Sequence, residues 1–281
     1  MIKLIVIDLD GTLLNSEKNI PNENKVWIKK AIEKKLFISI SSGRSYVSGH
    51  KFIDELNLHN VPISFQNGSL IFKKVNNSRK IIHKFGIPSI YAFRIEEIIN
   101  KKFTDMKLIV FNNYFDQPDM FINQANNTPY YRYFENNSYR IKYVDKPTDY
   151  IKNSIIPEIA LEGLESDIQE LLKCLGLPNK DIKVVKNDDI DDHAFYELVS
   201  QEASKEIAIH HILKYFNLNI DEVAFIGDNY NDMEVLKSLK YSFSMANAPE
   251  EVKKICRYVS KKTNDEAGVA EIIENIIIGD Y

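Results

Sequence analysis

Two carboxylates follow an apolar stretch near the start of the chain. Residues 1–7 read M-I-K-L-I-V-I, and Asp8-Leu9-Asp10-Gly11-Thr12 comes next. A short apolar run of this kind is typical of a buried strand in a parallel sheet. Ligands of open α/β sheets bind outside the carboxyl ends of the strands, so we expect Asp8 and Asp10 to face a binding crevice. Because like charges this close repel each other, a bound cation would stabilise them; the structural alternative is a solvated acidic turn.

A turn that contains a hydroxyl group and a glycine follows a second apolar stretch. Residues 36–41 read L-F-I-S-I-S, and Ser42-Gly43-Arg44 stands directly after them. At a strand-to-helix turn, a hydroxyl group next to a glycine allows backbone N–H groups to approach an anion. Most turns of this composition are only turns, so the interpretation depends on the rest of the chain.

A lysine and an acidic loop complete the set of candidate groups. Lys205 follows Ser204, which we expect to cap a helix, and a cation there adds to the positive potential of the helix N-terminus. Gly227-Asp228-Asn229-Tyr230-Asn231-Asp232 follows the apolar residues 222–226. Carboxylates and an amide suit a hard cation such as Mg²⁺. The structural alternatives are a solvated lysine and an acidic surface loop.

The elements that must position these groups alternate between strands and helices. In residues 1–66, and again from residue 204 onward, the pattern favours parallel βαβ units with right-handed crossovers. Residues 83–192 read as a small α+β unit. Within it, residues 123–143 are expected to be the least regular part, a long loop, and a strand is expected near residues 140–144. The predicted fold is α/β, a Rossmann-like parallel sheet flanked by helices. The predicted core comprises residues 1–82 and 193–281, and the insertion comprises residues 83–192.

The order of these segments resembles the haloacid dehalogenase-like (HAD) hydrolase superfamily. D-x-D-G-T at residues 8–12 matches the first motif of that family, and Ser42 stands at the second. Lys205 stands at the third motif, and Gly227-Asp228-x-x-Asn231-Asp232 matches the fourth. The insertion lies between the second and third motifs, as it does in the Cof-type (class IIB) phosphatases. The resemblance therefore implies that the insertion is a cap domain of type C2.

Smaller features of that subfamily are present, and others are replaced. Asn67-Gly68 and Met245-Ala246-Asn247-Ala248 resemble it. Gln201-Glu202-Ala203 stands where the subfamily often has a glycine-rich approach to the lysine, and Ala267 replaces a common aspartate near the C-terminus. These differences concern loop details and substrate contacts rather than the core chemistry.

The resemblance assigns catalytic and metal-binding roles to the acids. It implies that Asp8 is the nucleophile, which forms an aspartyl-phosphate, and that Asp10 protonates the leaving oxygen and then activates water. The implied cofactor is Mg²⁺, held by Asp8, the backbone carbonyl of Asp10, and Asp228. Asp232 would support the water ligands of the metal or orient Lys205.

The resemblance also implies which residues hold the substrate. The groups expected to hold the transferring phosphoryl oxygens are Ser42, Gly43, Lys205 and Asn231. Arg44 and Asn67 are expected to contact substrate or cap, and for Arg44 a salt bridge within the core is the alternative.

A Mg²⁺-dependent phosphatase is the function that this resemblance favours. Its substrates would be small phosphorylated metabolites, with sugar phosphates as the typical class of such enzymes and pyridoxal or flavin-pathway phosphates as variants. One alternative is a phosphomutase of the same superfamily, which would form an isomer without releasing phosphate. Another is a non-catalytic phospho-acceptor or regulatory domain, against which the second acid of D-x-D and the large insertion argue.

The overall composition excludes several other classes of protein. The 281 residues are 44% hydrophobic and 27% charged, with a formal net charge of −4 and no basic block, so nucleic acid is not an expected partner. The two cysteines match no metal-binding spacing and favour a reducing, cytoplasmic environment. No stretch reaches the roughly 18 apolar residues of a membrane span. The oligomeric state is left open.

Overall fold

The computed structural model describes residues 1–76, 78–112, 114–123 and 128–279. It divides into two compact units. The first comprises Met1–Lys84 and Ser204–Tyr281, and the second comprises Phe85–Ala203.

The amino-terminal segment alternates strands with helices and ends in an antiparallel meander. Its elements, in chain order, are β1 (Leu4–Ile7), α1 (Asn22–Glu33), β2 (Phe37–Ile40), α2 (Tyr46–Glu55), β3 (Pro62–Phe65), β4 (Leu70–Val75) and β5 (Ser78–Lys84).

The second unit mixes strands with short helices. Its elements are β6 (Ile87–Pro88), α3 (Ile90–Lys102), β7 (Lys107–Phe111), β8 (Met120–Ile122), α4 (Tyr131–Asn136), β9 (Ile141–Tyr143), β10 (Ile155–Ile156), β11 (Glu158–Leu164), α5 (Glu165–Leu175), β12 (Ile182–Ile190) and β13 (His193–Ser200).

The last segment returns to the first unit. Its elements are α6 (Lys205–Phe216), β14 (Val223–Gly227), α7 (Met233–Ser238), β15 (Tyr241–Ser244), α8 (Glu250–Ile255), β16 (Tyr258–Val259) and α9 (Gly268–Ile278).

A parallel five-stranded sheet organises the first unit. Its strand order is β16-β15-β14-β1-β2, and β1 lies between β14 and β2. The carboxyl ends of these three strands are level, because Ile7 pairs with Ile226 on one side and with Ile40 on the other. All four residues of β1 are buried, as expected for a strand covered on both faces. The predicted α/β class with a parallel core sheet is confirmed.

The third predicted strand does not extend this sheet as expected. β3 pairs in antiparallel fashion with β4, and β4 pairs with β5. Within the described residues, a single parallel bridge between Ser41 and Ser64 joins β3 to the end of β2. The β4–β5 hairpin was not predicted, because the side chains of β5 are mostly exposed and carry little apolar periodicity.

A six-stranded sheet organises the second unit, in the order β12-β13-β11-β7-β8-β9. β13 pairs with both β11 and β12, so the residues from 193 to 203 belong with this unit by their contacts. The sequence boundaries at 82/83 and 192/193 accordingly differ from the structural ones at 84/85 and 203/204, since a cut at 192/193 divides the β12–β13 hairpin.

The expected long loop at residues 123–143 contains regular structure. Helix α4 lies within it, because Tyr130 and Phe134 are buried against the sheet. Strand β9, at the end of the stretch, corresponds to the strand predicted near residues 140–144. Residues 124–127 of this stretch lie outside the described residues.

Among the described residues, no helix combines the length and the hydropathy needed to cross a membrane.

Candidate active site

The sheet register brings the predicted acids together. Asp8 follows β1 and Asp228 follows β14, and these strands are neighbours in register. The Asp8 N–H group donates a hydrogen bond of 2.9 Å to the Ile226 carbonyl oxygen, which continues the ladder past the end of β1. The two carboxylates therefore leave the sheet side by side.

Lys205 joins the acids from the first position of α6. The hydroxyl group of Ser204 caps this helix, as predicted, by accepting a hydrogen bond of 3.1 Å from the Ile207 N–H group. Lys205 is only 2% exposed, and its Nζ lies 2.6 Å from Asp8 Oδ1 and 2.6 Å from Asp232 Oδ1. A buried ammonium group thus bridges two acids that are separated by most of the chain.

Both carboxylate oxygens of Asp232 accept hydrogen bonds, which hold the side chain in place. Its Oδ1 contacts Lys205, while its Oδ2 accepts hydrogen bonds from the N–H groups of Asp228 (3.1 Å) and Asn229 (3.2 Å). Asp232 is completely buried. This pattern suits the predicted role of orienting Lys205 and also holds the loop after β14 in shape.

Asp228 is held by the loop after β1. Thr12 donates a hydrogen bond of 2.7 Å from Oγ1 to Asp228 Oδ1. Gly11 has φ of +75°, and a Cβ atom there would lie 2.2 Å from Asp228 Oδ2. Only glycine meets both the backbone conformation and the space at this position.

Burial and mutual repulsion disfavour the charged forms of these acids. Burial, then the charges of Asp232 and Asp228, raise the pKa of Asp8 to about 8 despite the nearby ammonium group. Burial, with the charge of Asp232 adding to it, raises the pKa of Asp228 to about 6 even though Thr12 donates a hydrogen bond to it. For Lys205, burial alone would lower the pKa, but the carboxylates of Asp8 and Asp232 outweigh it and raise that pKa.

The donor set at this position fits a hard divalent cation. Asp8, Asp228 and Asp232 each offer a carboxylate oxygen, and these oxygens lie within 4.8 Å of one another. A single ammonium group leaves an excess of negative charge among them. Oxygen donors with such an excess are what Mg²⁺ binds. Since both oxygens of Asp232 are already engaged, Asp8 and Asp228 are the better candidates for direct ligands.

Asp10 lies outside this carboxylate group and pairs with cations instead. Arg44 donates to it from Nε (2.6 Å to Oδ2) and from Nη2 (2.8 Å to Oδ1), and Lys18 Nζ lies 2.8 Å from Oδ1. Burial alone would raise the pKa of Asp10, but these hydrogen bonds lower it to about 2. The structure therefore contains the salt bridge that was the alternative for Arg44; its contact with substrate stays a prediction.

The remaining predicted residues form a second connected group. Asn231 donates from Nδ2 to Asn67 Oδ1 over 3.0 Å, and the Asn67 N–H group donates to the Ser42 carbonyl oxygen over 3.1 Å. Ser42 is buried, and its Oγ accepts a hydrogen bond of 3.2 Å from the Arg44 N–H group. A Cβ atom on Gly43 would lie 3.1 Å from Asn67 Oδ1. Asn67 therefore contacts Ser42, Gly43 and Asn231, which are three of the residues predicted to bind the phosphoryl group.

Sequence reasoning gave no role to some residues that support this site. Lys18 pairs with Asp10, and Asn247 donates from Nδ2 to the Gly11 carbonyl oxygen over 2.9 Å. Asn247 follows β15, so its place beyond the end of a core strand was a signal that could have found it. Lys18 lies in a polar loop and carries no comparable signal.

Comparisons with known proteins place this chain in a family. A model of the haloacid dehalogenase-like hydrolase family matches residues 5–273. The MG125 protein of Mycoplasma genitalium, which is named as a phosphatase, is 29% identical over 282 residues, covering 94% of this chain and 93% of that protein. The 5-amino-6-(5-phospho-D-ribitylamino)uracil phosphatase YcsE of Bacillus subtilis is 25% identical, covering 99% of this chain and 96% of that protein.

A solved structure shares the fold over the same extent. The crystal structure of a haloacid dehalogenase-like hydrolase from Bacteroides thetaiotaomicron superposes with a TM-score of 0.82 at 25% identity, covering 98% of this chain and 100% of that one. A family match over almost the whole length, together with the acids and the lysine gathered at the end of β1, settles the classification. The chain belongs to the haloacid dehalogenase-like hydrolase family.

Proposed function

We propose that this protein is a Mg²⁺-dependent phosphatase that hydrolyses small phosphomonoesters through an aspartyl-phosphate intermediate. The observation that carries the proposal is the Lys205 ammonium group held 2.6 Å from both Asp8 and Asp232, beside Asp228. With one buried cation among three acids, the site attracts further positive charge. A negatively charged phosphate can bind there only when additional positive charge, such as a metal ion, is present.

Asp8 is the nucleophile in this proposal. Its carboxylate oxygen attacks phosphorus, the bond from phosphorus to the ester oxygen breaks, and an acyl phosphate remains on Asp8. Water then attacks that phosphorus and releases inorganic phosphate and the free carboxylate. Lys205 orients Asp8 and favours its ionised form, and its ammonium group offsets charge that develops on the phosphoryl oxygens.

Asp10 is the proton donor to the departing alcohol. Both oxygens of Asp10 accept hydrogen bonds from Arg44 or Lys18, which favour its ionised form. Proton transfer by Asp10 therefore requires that at least one of these cations leave its carboxylate. Ser42, Gly43 and Asn231 are proposed to bind the phosphoryl oxygens, through backbone N–H groups at the turn and through the Asn231 amide.

Mg²⁺ would be held by Asp8, Asp228 and the backbone carbonyl of Asp10. When bound, the ion reduces the repulsion between the attacking carboxylate and the phosphate dianion. Asp232 keeps Lys205 in place and leaves metal binding to the other acids.

Small phosphorylated metabolites are the proposed substrates. The resemblance to Cof-type phosphatases supports sugar phosphates, and the name of the Bacillus subtilis relative supports phosphorylated ribityl compounds as a second group to test. Both groups are phosphomonoesters of compounds that carry several hydroxyl groups.

The test is a panel of phosphorylated metabolites with free phosphate as the readout. We expect release that requires Mg²⁺, stops with EDTA and resumes when Mg²⁺ is restored. Label from a ³²P substrate should remain on the protein after an acid quench and be removed by hydroxylamine, which cleaves acyl phosphates. The exposed acid Asp221, on the turn before β14, provides a matched control, since Asp221→Asn should leave all of these results unchanged. Formation of an isomer without free phosphate, or no turnover of any ester, would contradict the proposal.

A further inference from the structure

The turn between β3 and β4 has an unusual backbone. Gln66, Asn67 and Gly68 are consecutive and have φ of +51°, +49° and +97°. The left-handed backbone conformation is unfavourable for L-amino acids other than glycine. Consecutive residues in this conformation therefore persist only where contacts with the surrounding structure stabilise them. The contacts of this turn show what determines it.

Each residue of the turn contacts a different part of the proposed phosphate site. The N–H groups of Gln66 and Asn67 donate to the carbonyl oxygens of Arg44 (2.9 Å) and Ser42 (3.1 Å), which binds this turn to the one after β2. At Gly68, a Cβ atom would lie 2.2 Å from the Ser204 carbonyl oxygen. The turn is therefore packed against the residue that caps α6 and precedes Lys205.

The Asn67 side chain adds the third connection. Its Oδ1 accepts the hydrogen bond from Asn231 Nδ2 and lies against Gly43. An amide NH₂ group carries two hydrogens, so one bond to Asn67 fixes the plane of the Asn231 amide and leaves the other hydrogen to be donated to a phosphoryl oxygen. Since Asn231 adjoins Asp232, the same bond ties the Ser42–Gly43 turn to the loop that holds Lys205.

We propose that Asn67 is a positioning residue, which holds the Asn231 amide and the Ser42–Gly43 turn in the arrangement that binds a transferring phosphoryl group. This inference rests on the proposed function and assigns Asn67 a role different from direct contact with substrate. Misplacing these groups destabilises the transition state more than it weakens binding of the ester. Loss of the Asn67 side chain should therefore lower kcat more than it changes KM.

The variant that tests this role is Asn67→Gly. Glycine adopts the left-handed backbone without strain, so the change removes the side chain and preserves the turn. We expect kcat to fall about tenfold to a hundredfold, KM to change less than about threefold, and inhibition by orthovanadate to weaken by about the same factor as kcat. Asn57 is exposed and also has a left-handed backbone, so Asn57→Gly is the matched control and should keep full activity.

A double-mutant cycle with Asn231→Ala separates positioning from direct contact. If Asn67 acts through Asn231, Asn67→Gly should add less than about threefold to the loss already caused by Asn231→Ala. Fully additive losses, or a kcat for Asn67→Gly within twofold of the parent protein, would overturn the proposal.

Failure of the proposed function would be recognised separately. If the parent protein releases no phosphate from any ester, the binding of orthovanadate, which mimics the transferring phosphoryl group, still compares the variants when it is measured by calorimetry in the presence of Mg²⁺. Weaker binding by Asn67→Gly than by Asn57→Gly would then support the positioning role, and equal binding would overturn it.

Discussion

Buried charges are arranged differently in the two units of the molecule. In the first unit, one ammonium group from Lys205 contacts two carboxylates beside a third. In the second unit, Arg140 donates to both oxygens of Asp119 over 2.8 and 2.6 Å, and each partner is almost completely buried. The first grouping has more carboxylates than cations, whereas the Arg140–Asp119 pair has one of each.

The difference distinguishes the acids around Lys205, which suit a binding site, from the Arg140–Asp119 pair, which suits a structural role. Removing ions from water costs several kcal/mol each, and a close opposite charge with good hydrogen-bond geometry offsets that cost. The Arg140–Asp119 pair has such geometry within its own unit. The acids around Lys205 outnumber the cation that contacts them, so the fold keeps an unfavourable arrangement that binding of the proposed metal ion would relieve.

The largest expected effect comes from removing the proposed nucleophile. Asp8→Asn should reduce phosphate release below detection, because an amide cannot form the acyl phosphate. The same change should raise the melting temperature in metal-free buffer, since it removes one of the repelling carboxylates. Phosphate assays and thermal melting measure the two effects. Near-normal turnover would mean that Asp8 is not the nucleophile, and a lower melting temperature would break the comparison.

Removing the lysine should have the next largest effect on turnover. Lys205→Met keeps the apolar stem and deletes the charge, so kcat should fall by about a hundredfold to a thousandfold, roughly 3–4 kcal/mol, as when a donor to the transition state is lost. Lys214→Met, at an exposed position of the same helix, is the matched control. If kcat falls no further for Lys205→Met than for Lys214→Met, the ammonium group of Lys205 has no role in the mechanism.

In the second unit, breaking the balanced pair should affect stability. Arg140→Met leaves Asp119 buried without its partner, and we expect the free energy of unfolding to fall by about 3–5 kcal/mol. Replacing both residues, as Arg140→Met with Asp119→Leu, should recover most of that loss because no charge is left unpaired. Urea unfolding followed by circular dichroism measures both. If the single and double variants have the same free energy of unfolding, the unpaired charge of Asp119 is not the cause of the loss.

The smallest expected effect concerns Glu158 and Glu197, two neighbouring acids of the second unit whose pKa values are raised, as those of Asp8 and Asp228 are. Burial, then the charge of the neighbouring carboxyl, raises the pKa of Glu158, and burial raises the pKa of Glu197. Because these groups ionise less readily in the folded chain, their contribution to stability is present at low pH and is lost as the pH rises above about 4.5, the usual value. Glu197→Gln should flatten this loss in a series of melts across pH.

The exposed Glu202 provides the control for that series. Glu202→Gln should keep the pH dependence of the parent protein, because the Glu202 side chain is exposed and lies outside the Glu158–Glu197 pair. A pH dependence that is the same for Glu197→Gln and for the parent protein would show that this pair does not set it.

The parallel core could be predicted from the sequence because its strands are short apolar runs that end at chemically distinctive residues. Asp8 and Asp228 each follow such a run, and the carboxyl ends of neighbouring parallel strands lie at one edge. Lys205 carried no signal of burial; only its place in the order of motifs indicated its role.

Contacts between loops could not be predicted in this way. The Arg44–Asp10 pair and the Asn231–Asn67 hydrogen bond join residues 34 and 164 positions apart, and no local periodicity encodes either distance. The boundary at residue 203 was equally hidden, since the pairing of β13 with β11 and β12 is a tertiary contact. Local pattern determines which elements form; packing determines which loops meet.

The central position of β1 has a consequence for synthesis of the protein. Strand β1, which Asp8 follows, is translated well before its neighbour β14, which begins only at Val223. Until that later strand is translated, one side of β1 has unpaired N–H and C=O groups, which in nascent chains are sites for misassembly and chaperone binding. The chemistry proposed for Asp8 therefore requires translation past Asp232, and we expect shorter translation products to be inert toward phosphate esters.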